Sequence, residues 1–488
     1  MVAQVPESSS ADASIWDREH APLTIGIVLA ITLMAIEGLA MATIAPVLSK
    51  DLDGGHLYGW IFSAFMLASI IGTVVGGREV DRRSPAVVFG VALGLFIAGG
   101  LVTGLAPTIE TFLVGRALQG LSSGMIIATS YSIINRLYED KLRPAMLATE
   151  STAYVLPSLV GPFAVGAIAE SIGWRYIFLG ILLFVVPIAA LVLPRFHAIG
   201  APEHRAAENS RVQQAILLSI ATGLFLVGLE IDLVVIAGVV SVVGLAALIV
   251  LLRWLLPAGS FSVQPILPAA IVMRASTFGA FMVAETFMVF SLKEFGGVSS
   301  SGAGILVSAG ALTWSGGSWL QSRVESKTGV ESRYRRMVMG ALSMIAGVGF
   351  IFGMVAVGND IWYVPALIGW LFAGLGIGFG LTTAAAVALA ESPAGEEGRV
   401  SSSMLLGDLV GASVGVGIGG VLLAWGERND WAAPDSVTLA MLPGLVFLAV
   451  ALFAAIRMAQ SRQTVSSTRE AGTLRTQALT GTNPSPGT

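Results

Sequence analysis

The sequence predicts an all-α membrane protein, and three observations carry that expectation. Hydrophobic residues make up 55% of the 488-residue chain and charged residues only 12%, where a soluble domain carries about 25% charged residues. Mean hydropathy is +0.81. The apolar residues gather into fourteen runs of about 20 residues, each long enough to cross the hydrocarbon core as a helix. Between these runs, Lys and Arg collect in alternate loops.

Residues 1–21 are polar and lack a basic segment followed by a short apolar core, so a cleavable signal peptide is not expected. The spans are predicted near 22–48, 57–77, 86–106, 110–135, 144–169, 175–194, 213–230, 232–256, 268–292, 301–322, 337–357, 361–390, 401–424 and 436–458. Residues 1–21 then form an N-terminal tail, 22–195 a first six-helix bundle, 196–212 a loop, 213–256 an extra central pair and 257–458 a second six-helix bundle. Residues 459–488, rich in Ser, Thr and Gly, are expected to form a disordered tail.

Charge bias orients this arrangement. Of the 27 Lys and Arg residues, 22 fall on the side of the N-terminus, and only Lys50, Arg175, Lys293 and Arg428 fall on the other. Arg116 is read as the only base inside a span. This asymmetry predicts an inner-membrane, multi-pass protein with both termini in the cytoplasm. The turn between the seventh and eighth spans, Glu230-Ile231-Asp232, has no positive charge, as a loop on the outer side should. If 213–256 were instead a re-entrant or peripheral pair, twelve spans would remain.

Composition also excludes chemistry. With no cysteine there is no disulfide, thiolate nucleophile or Cys-ligated metal. His20, His56, His197 and His204 all lie in polar stretches outside the apolar runs, so no His-based triad or intramembrane metal site is expected. Lys327-Thr328 is preceded by Ser326 rather than glycine, which leaves no phosphate-binding loop for ATP. A net charge of −4 without a basic stripe argues against nucleic acid.

Four motifs carry a resemblance. Gly77-Arg78-Glu79-Val80-Asp81-Arg82-Arg83, after the second span, resembles the G-x-L-a-D-R-x-G-R-K signature of the major facilitator superfamily, with Ser84 and Pro85 where Gly and Arg are expected. Arg116-Ala117-Leu118-Gln119-Gly120 is similar to its R-x-x-Q-G motif. Gly161-Pro162-Phe163-Ala164-Val165-Gly166 resembles the G-P-x-x-G core of the antiporter motif, and Gly173-Trp174-Arg175-Tyr176-Ile177-Phe178 resembles the G-W-R-W-I-F start of the sixth span. In the first span, Ile36-Glu37 to Ala45-Pro46 looks like L-D-x-T-v-v-n-V-A-l-P with Glu for Asp and Leu39 for Thr. The order and spacing resemble the drug:proton antiporter subgroup with fourteen transmembrane helices. The resemblance implies a major facilitator fold of two six-helix halves rocking about a central cavity. It also implies export of amphipathic or cationic small molecules against protons, with no cofactor beyond the proton gradient. A monomer in the bilayer is expected, with the small molecule and protons as its partners.

The charged residues within spans are the candidate sites. Glu37 lies fifteen residues into its 27-residue span, roughly 22 Å along the axis at 1.5 Å per residue, near mid-membrane. A carboxylate there is costly unless protonated, paired or wetted by a cavity, so it either exchanges protons and pairs with cations or serves as a hydrogen-bond partner in a helix seam. Glu285 lies at nearly the same depth in the ninth span, the counterpart of the first once the extra pair is set aside. Glu150 and Asp408 form a similar pair in the fifth and thirteenth spans, nearer the inner interface, where snorkelling or a gate contact competes with substrate contact. Arg116 requires an interior acceptor, either as part of proton coupling or as a structural clamp. Gly77, Asp81 and Arg82 at an inner helix end suit a gate, or a solvated positive loop.

Two other functions fit parts of this reading. An exporter of an endogenous lipid, siderophore or metabolite would use the same fold. A non-transporting sensor or scaffold is disfavoured by the lack of a soluble signalling domain, and an intramembrane enzyme by the missing catalytic side chains.

Overall fold

The computed structural model describes residues 14–480 except 18–19, 138–141, 143–145, 147–148, 150–152, 154, 200–209, 232, 265, 330–331, 358–362 and 394–396, with a few further side chains left undescribed. Fourteen helices, and no strand, occur among the described residues. They are α1 (Ala21–Asp51), α2 (Trp60–Val80), α3 (Pro85–Gly104), α4 (Ile109–Leu137), α5 (Val155–Ser171), α6 (Arg175–Ile199) and α7 (Ser210–Glu230). The chain continues through α8 (Val234–Leu255), α9 (Leu267–Glu294), α10 (Ser300–Thr328), α11 (Arg333–Val357), α12 (Tyr363–Ala390), α13 (Glu397–Arg428) and α14 (Ala433–Thr480). Twelve are long and apolar enough to cross a membrane. The other two are α5, whose described part is 17 residues, and α10, which is rich in Ser and Gly.

The packing is a repeat. Within α1–α6, helix α2 packs on α4, α3 on α4 and α6, and α1 on α5 and α6. The same pattern recurs in α9–α14: α10 on α12, α11 on α12 and α14, and α9 on α13 and α14. Across the two sets the main contacts are α5 with α10 and α2 with α13, which are equivalent under the same repeat. Small residues make the close approaches possible, as they do between helices in a bilayer where apolar burial supplies no preference. A Cβ at Gly120 would meet the Phe65 backbone, one at Gly76 the Met125 backbone, and one at Gly340 the backbone of Gly376 and Gly380.

The central pair that made the count of spans ambiguous is two helices of span length, α7 and α8, packed on each other. Helix α7 also touches α2 and α13, one from each half. Trp60 Nε1 donates to Glu230 Oε1 at 2.8 Å and Ser219 Oγ to the Leu67 carbonyl at 2.9 Å. Helix α8 leaves Val235, Val239, Val242 and Trp254 exposed, as an apolar face turned to lipid requires.

Two sequence expectations need correction. The last helix does not stop near 458 but continues to Thr480, so most of the expected disordered tail is helical. The polar composition there hid a stretch with no proline before Pro484, in which Ala, Gln, Arg and Leu are interspersed with the Ser and Thr. The loop expected over 196–212 is shortened from both sides, because α6 reaches Ile199 and α7 begins at Ser210. In the N-terminal segment, Ile15 is buried and its carbonyl accepts from Thr24 Oγ1 at 2.8 Å.

Candidate functional site

The site is built on α1 and α4. Glu37 lies sixteen residues after the start of α1 and fourteen before its end, and its side chain is fully buried. Arg116, buried on α4, donates from Nη1 to Glu37 Oε1 in a direct ion pair. The same Nη1 reaches Gln119 Oε1 at 3.2 Å, and Nε donates to the Ile61 carbonyl of α2 at 3.3 Å. The guanidinium lies over the Phe65 ring, 4.4 Å from its centroid, a favourable placement for a cation. The R-x-x-Q-G spacing thus has a physical account. Arg116 and Gln119 are one turn apart and point the same way, while Gly120 lets α2 come close enough to offer its Ile61 carbonyl and Phe65 ring.

One oxygen of the pair is left over: Glu37 Oε2 is buried without a hydrogen-bond partner. A buried acceptor in that condition costs about 1–3 kcal/mol. A proton, a water or a cationic group reaching Oε2 would relieve that cost.

The second half carries a comparable pair that the sequence reading missed. Arg274, one of the 22 bases counted above on the side of the N-terminus, lies seven residues into α9, so Arg116 is not the only base within a spanning helix. Its Nε and Nη2 both donate to Asp408 Oδ2 on α13, at 2.9 and 2.7 Å. The signal was available, since Arg274 falls inside the predicted 268–292 run. Asp408 Oδ1, like Glu37 Oε2, is buried without a partner. Replacing Asp408 by Asn leaves the Arg274 guanidinium without its counter-charge. Because Arg274 is about one-fifth exposed, the expected loss is about 2 kcal/mol, the size of hydrogen bonds to a charged group. It is read as a lower thermal midpoint in detergent that the double variant Arg274→Gln/Asp408→Asn partly restores.

Glu285 sits apart from both pairs. It is buried on α9 and has no hydrogen-bond or ion-pair partner among the described residues. One turn before it, Phe281 stacks on Trp370 with ring centroids 4.6 Å apart and meets Trp314 edge-on at 5.3 Å. The equal depth of Glu37 and Glu285 therefore does not mean equal surroundings: one acid is paired with arginine, the other has no ion-pair partner among the described residues. Glu150 lies outside the described residues.

The motif residues divide. Gly166 of α5 abuts the Ser300 backbone of α10, and Gly304 abuts the Pro162 carbonyl, so Pro162 and Gly166 sit where the two halves meet. Nearby, Glu170 accepts from Ser301 N at 3.1 Å and Ser301 Oγ at 2.8 Å. A Cβ at Gly161 would meet nothing within 4 Å, and the same holds at Gly77. Asp81 caps the end of α2 at φ −80°, followed by Arg82 in the turn. Ser84, one of the two departures from the signature, N-caps α3 by accepting from Ala86 N at 3.4 Å, with Pro85 in the first turn, where proline's missing N–H costs nothing. Gly173 takes φ +105°, a conformation that favours glycine. It turns the chain so that Trp174 and Phe178 pack edge-on with Phe112.

The two halves are in close contact at the end of the bundle where α1 finishes. Besides the α5–α10 contact, Gly59 meets Gly417 and Gly420 of α13, and Tyr58 packs on Phe287 and Phe290 of α9.

The sequence model of the Major Facilitator Superfamily matches residues 25–368. The chain belongs to the major facilitator superfamily. This makes it a multi-pass membrane transporter of small molecules, a carrier and not an enzyme. A "Probable multidrug-efflux transporter" of Mycobacterium tuberculosis is 23% identical over 442 residues, covering 86% of this chain and 91% of that one. The "Multidrug efflux pump SdrM" of Staphylococcus aureus is 23% identical over 413 residues, covering 82% and 89%. The "MFS-type transporter opaD" of Aspergillus ustus is 30% identical over 156 residues, 32% of this chain and only 27% of that protein. Among solved structures, a POT family transporter in complex with 5-aminolevulinic acid superimposes with a TM-score of 0.67 at 14% identity, covering 90% of this chain and 96% of that one. A D-xylose–proton symporter gives 0.63 at 15% identity, with the same coverage. At these identities the structures speak for the fold alone.

Proposed function

We propose that this transporter is a proton-coupled antiporter that exports amphipathic or cationic small molecules, with Glu37 as its principal coupling acid. The observation that carries the reading is the buried Glu37–Arg116 pair with its second carboxylate oxygen unpartnered. A proton on Glu37 removes the charge that Arg116 holds, and a cationic solute competes with Arg116 for the same carboxylate. Proton and solute therefore exclude each other at one group, which is the requirement for exchange. Glu285, one turn after Phe281 on α9, is the candidate contact for the charged part of the solute, and the Phe281, Trp314 and Trp370 cluster for its aromatic part. The multidrug-efflux names of two relatives that match over most of their length support the same substrate class.

In this reading both termini face the cytoplasm, the Asp81-Arg82 end of α2 lies on the cytoplasmic side, and the close contact at the α1 end shuts the outer face. Gly77, Asp81 and Arg82 act as a gate whose charges favour one conformation, and the α5–α10 contact at Pro162 and Gly166 is where the halves part. Asp408 with Arg274 steadies the inner half of the second bundle. The protein works as a monomer.

The test is substrate-dependent proton flux in proteoliposomes. A cationic dye supplied on one side, with no imposed gradient, should drive protons the opposite way; in a second arm an imposed proton gradient should drive dye accumulation that a proton ionophore abolishes. Dye movement that neither shifts internal pH nor responds to the ionophore would remove proton coupling while leaving transport intact.

A further inference from the structure

A cavity lies away from the buried pairs. It has a volume of about 660 Å³ and opens at the α1 end of the bundle, where the last turn of α1, the α5–α6 turn and the last turn of α9 come together. Its position is therefore between the two halves.

Among the described residues, the Lys and Arg residues in the loops and helix ends at this end are Lys50, Arg175, Lys293 and Arg428. Three of them line this cavity, and only Arg428 is elsewhere. Their partners are unequal. Arg175 Nη1 donates to Asp51 Oδ2 at 2.7 Å, and Trp174 Nε1 donates to the same oxygen at 3.0 Å. Asp51 is thus already engaged. Lys50 has no carboxylate at ion-pairing distance among the described residues, and the partner of Lys293 Nζ is the neutral Ser300 hydroxyl at 3.0 Å. Glu294 is the other acid of the lining, and it and Glu170 both attract the Lys293 ammonium, so Lys50 is the cation left without a carboxylate of its own. An anion placed between Lys50 and Lys293 supplies the charge that Lys50 lacks and offsets the repulsion between the two ammonium groups.

The rest of the wall is apolar and aromatic. Ile172 and Tyr176 are well exposed, with Trp174 beside them. Tyr and Trp at the end of a spanning bundle mark the depth of lipid headgroups.

We propose that this cavity is a binding site for a net-anionic phosphate ester carrying an apolar tail, with Lys50 and Lys293 holding the phosphate and Ile172 and Tyr176 flanking the tail. The ligand is either the headgroup of an anionic phospholipid in the adjoining leaflet or a free phosphate-bearing solute. The site is separate from the Glu37 and Glu285 chemistry and does not depend on proton coupling.

The test uses the full-length protein in detergent, with Ile172→Cys carrying a polarity-sensitive dye, since the parent has no other cysteine to label. Short-chain phosphatidylglycerol should give a saturable response where short-chain phosphatidylcholine gives none. Lys50→Gln or Lys293→Gln should weaken it at least tenfold, whereas Arg428→Gln should not change it. The charge-keeping pair Lys50→Arg/Lys293→Arg should retain binding, which separates lost charge from lost folding. Inorganic phosphate, titrated alone and as a competitor, distinguishes the sources. Saturation by phosphate at concentrations matching the lipid assigns a free solute, and a response only to the lipid assigns the leaflet. An equal response to both lipids, no response to either anion, or a response that survives Lys50→Gln/Lys293→Gln would overturn the site.

Discussion

Replacing Glu37 by Gln is expected to abolish uphill export while leaving downhill movement of a neutral solute nearly intact. The side chain keeps its shape and its hydrogen-bonding oxygen but can no longer exchange a proton. The size of the effect follows from the energy source: one elementary charge moved through 100 mV is worth about 2.3 kcal/mol, so loss of one coupled proton removes roughly a 40-fold concentration ratio for every 100 mV. A second consequence arises because the acid is paired. Glu37→Gln leaves Arg116 buried without its counter-charge, and breaking such a pair from one side costs about 3–5 kcal/mol. Lost transport in the single variant is therefore ambiguous by itself. Glu37→Gln/Arg116→Gln resolves it, because removing both charges restores most of the thermal midpoint and leaves export uncoupled. If that double variant concentrates a substrate normally against a proton gradient, coupling belongs to Glu285, Glu150 or Asp408, and the Glu37–Arg116 pair is a structural clamp.

A bulky residue at the α5–α10 contact is expected to hold the two halves apart at the α1 end. At Gly304 a Cβ would fall on the Pro162 backbone carbonyl, and at Gly166 on the backbone of Ser300 and Ser301. Backbone cannot swing aside as a flexible side chain can, so Gly304→Val carries an overpacking cost of about 1–3 kcal/mol. The α5 and α10 helices belong to different halves, and separating them relieves the strain, along with loss of the Glu170–Ser301 bonds. A bias of that size moves a two-state equilibrium about 5- to 150-fold. With Val47→Cys as the sole cysteine, lining the cavity at that end, labelling by an impermeant maleimide should accelerate at least fivefold, and turnover should fall. Gly161→Val is the control, because its Cβ would meet nothing within 4 Å. Equal acceleration in the control, or none with Gly304→Val, would mean that this contact does not govern opening.

Much of this protein was legible as local chemistry. Hydropathy is a property of consecutive residues, and a backbone in lipid must satisfy its own hydrogen bonds, so runs of about 20 apolar residues fixed the number and order of the helices, the central pair included. The cost of a charge in lipid likewise required that Arg116 find an acceptor and that Glu37 be protonated, paired or wetted. Which acceptor and which fate were decided by packing. Arg116 met Glu37 because Gly120 let α2 and α4 close up and α1 ran alongside them. Arg274, hidden within an apolar run and read as a loop charge, found Asp408 because α9 packs on α13. Glu285, at the same depth as Glu37, was left without an arginine opposite it. Depth along a helix is written in the sequence at 1.5 Å per residue; the direction a side chain faces and what lies opposite depend on the rotation and spacing of helices far apart in the chain, which only the assembled bundle determines.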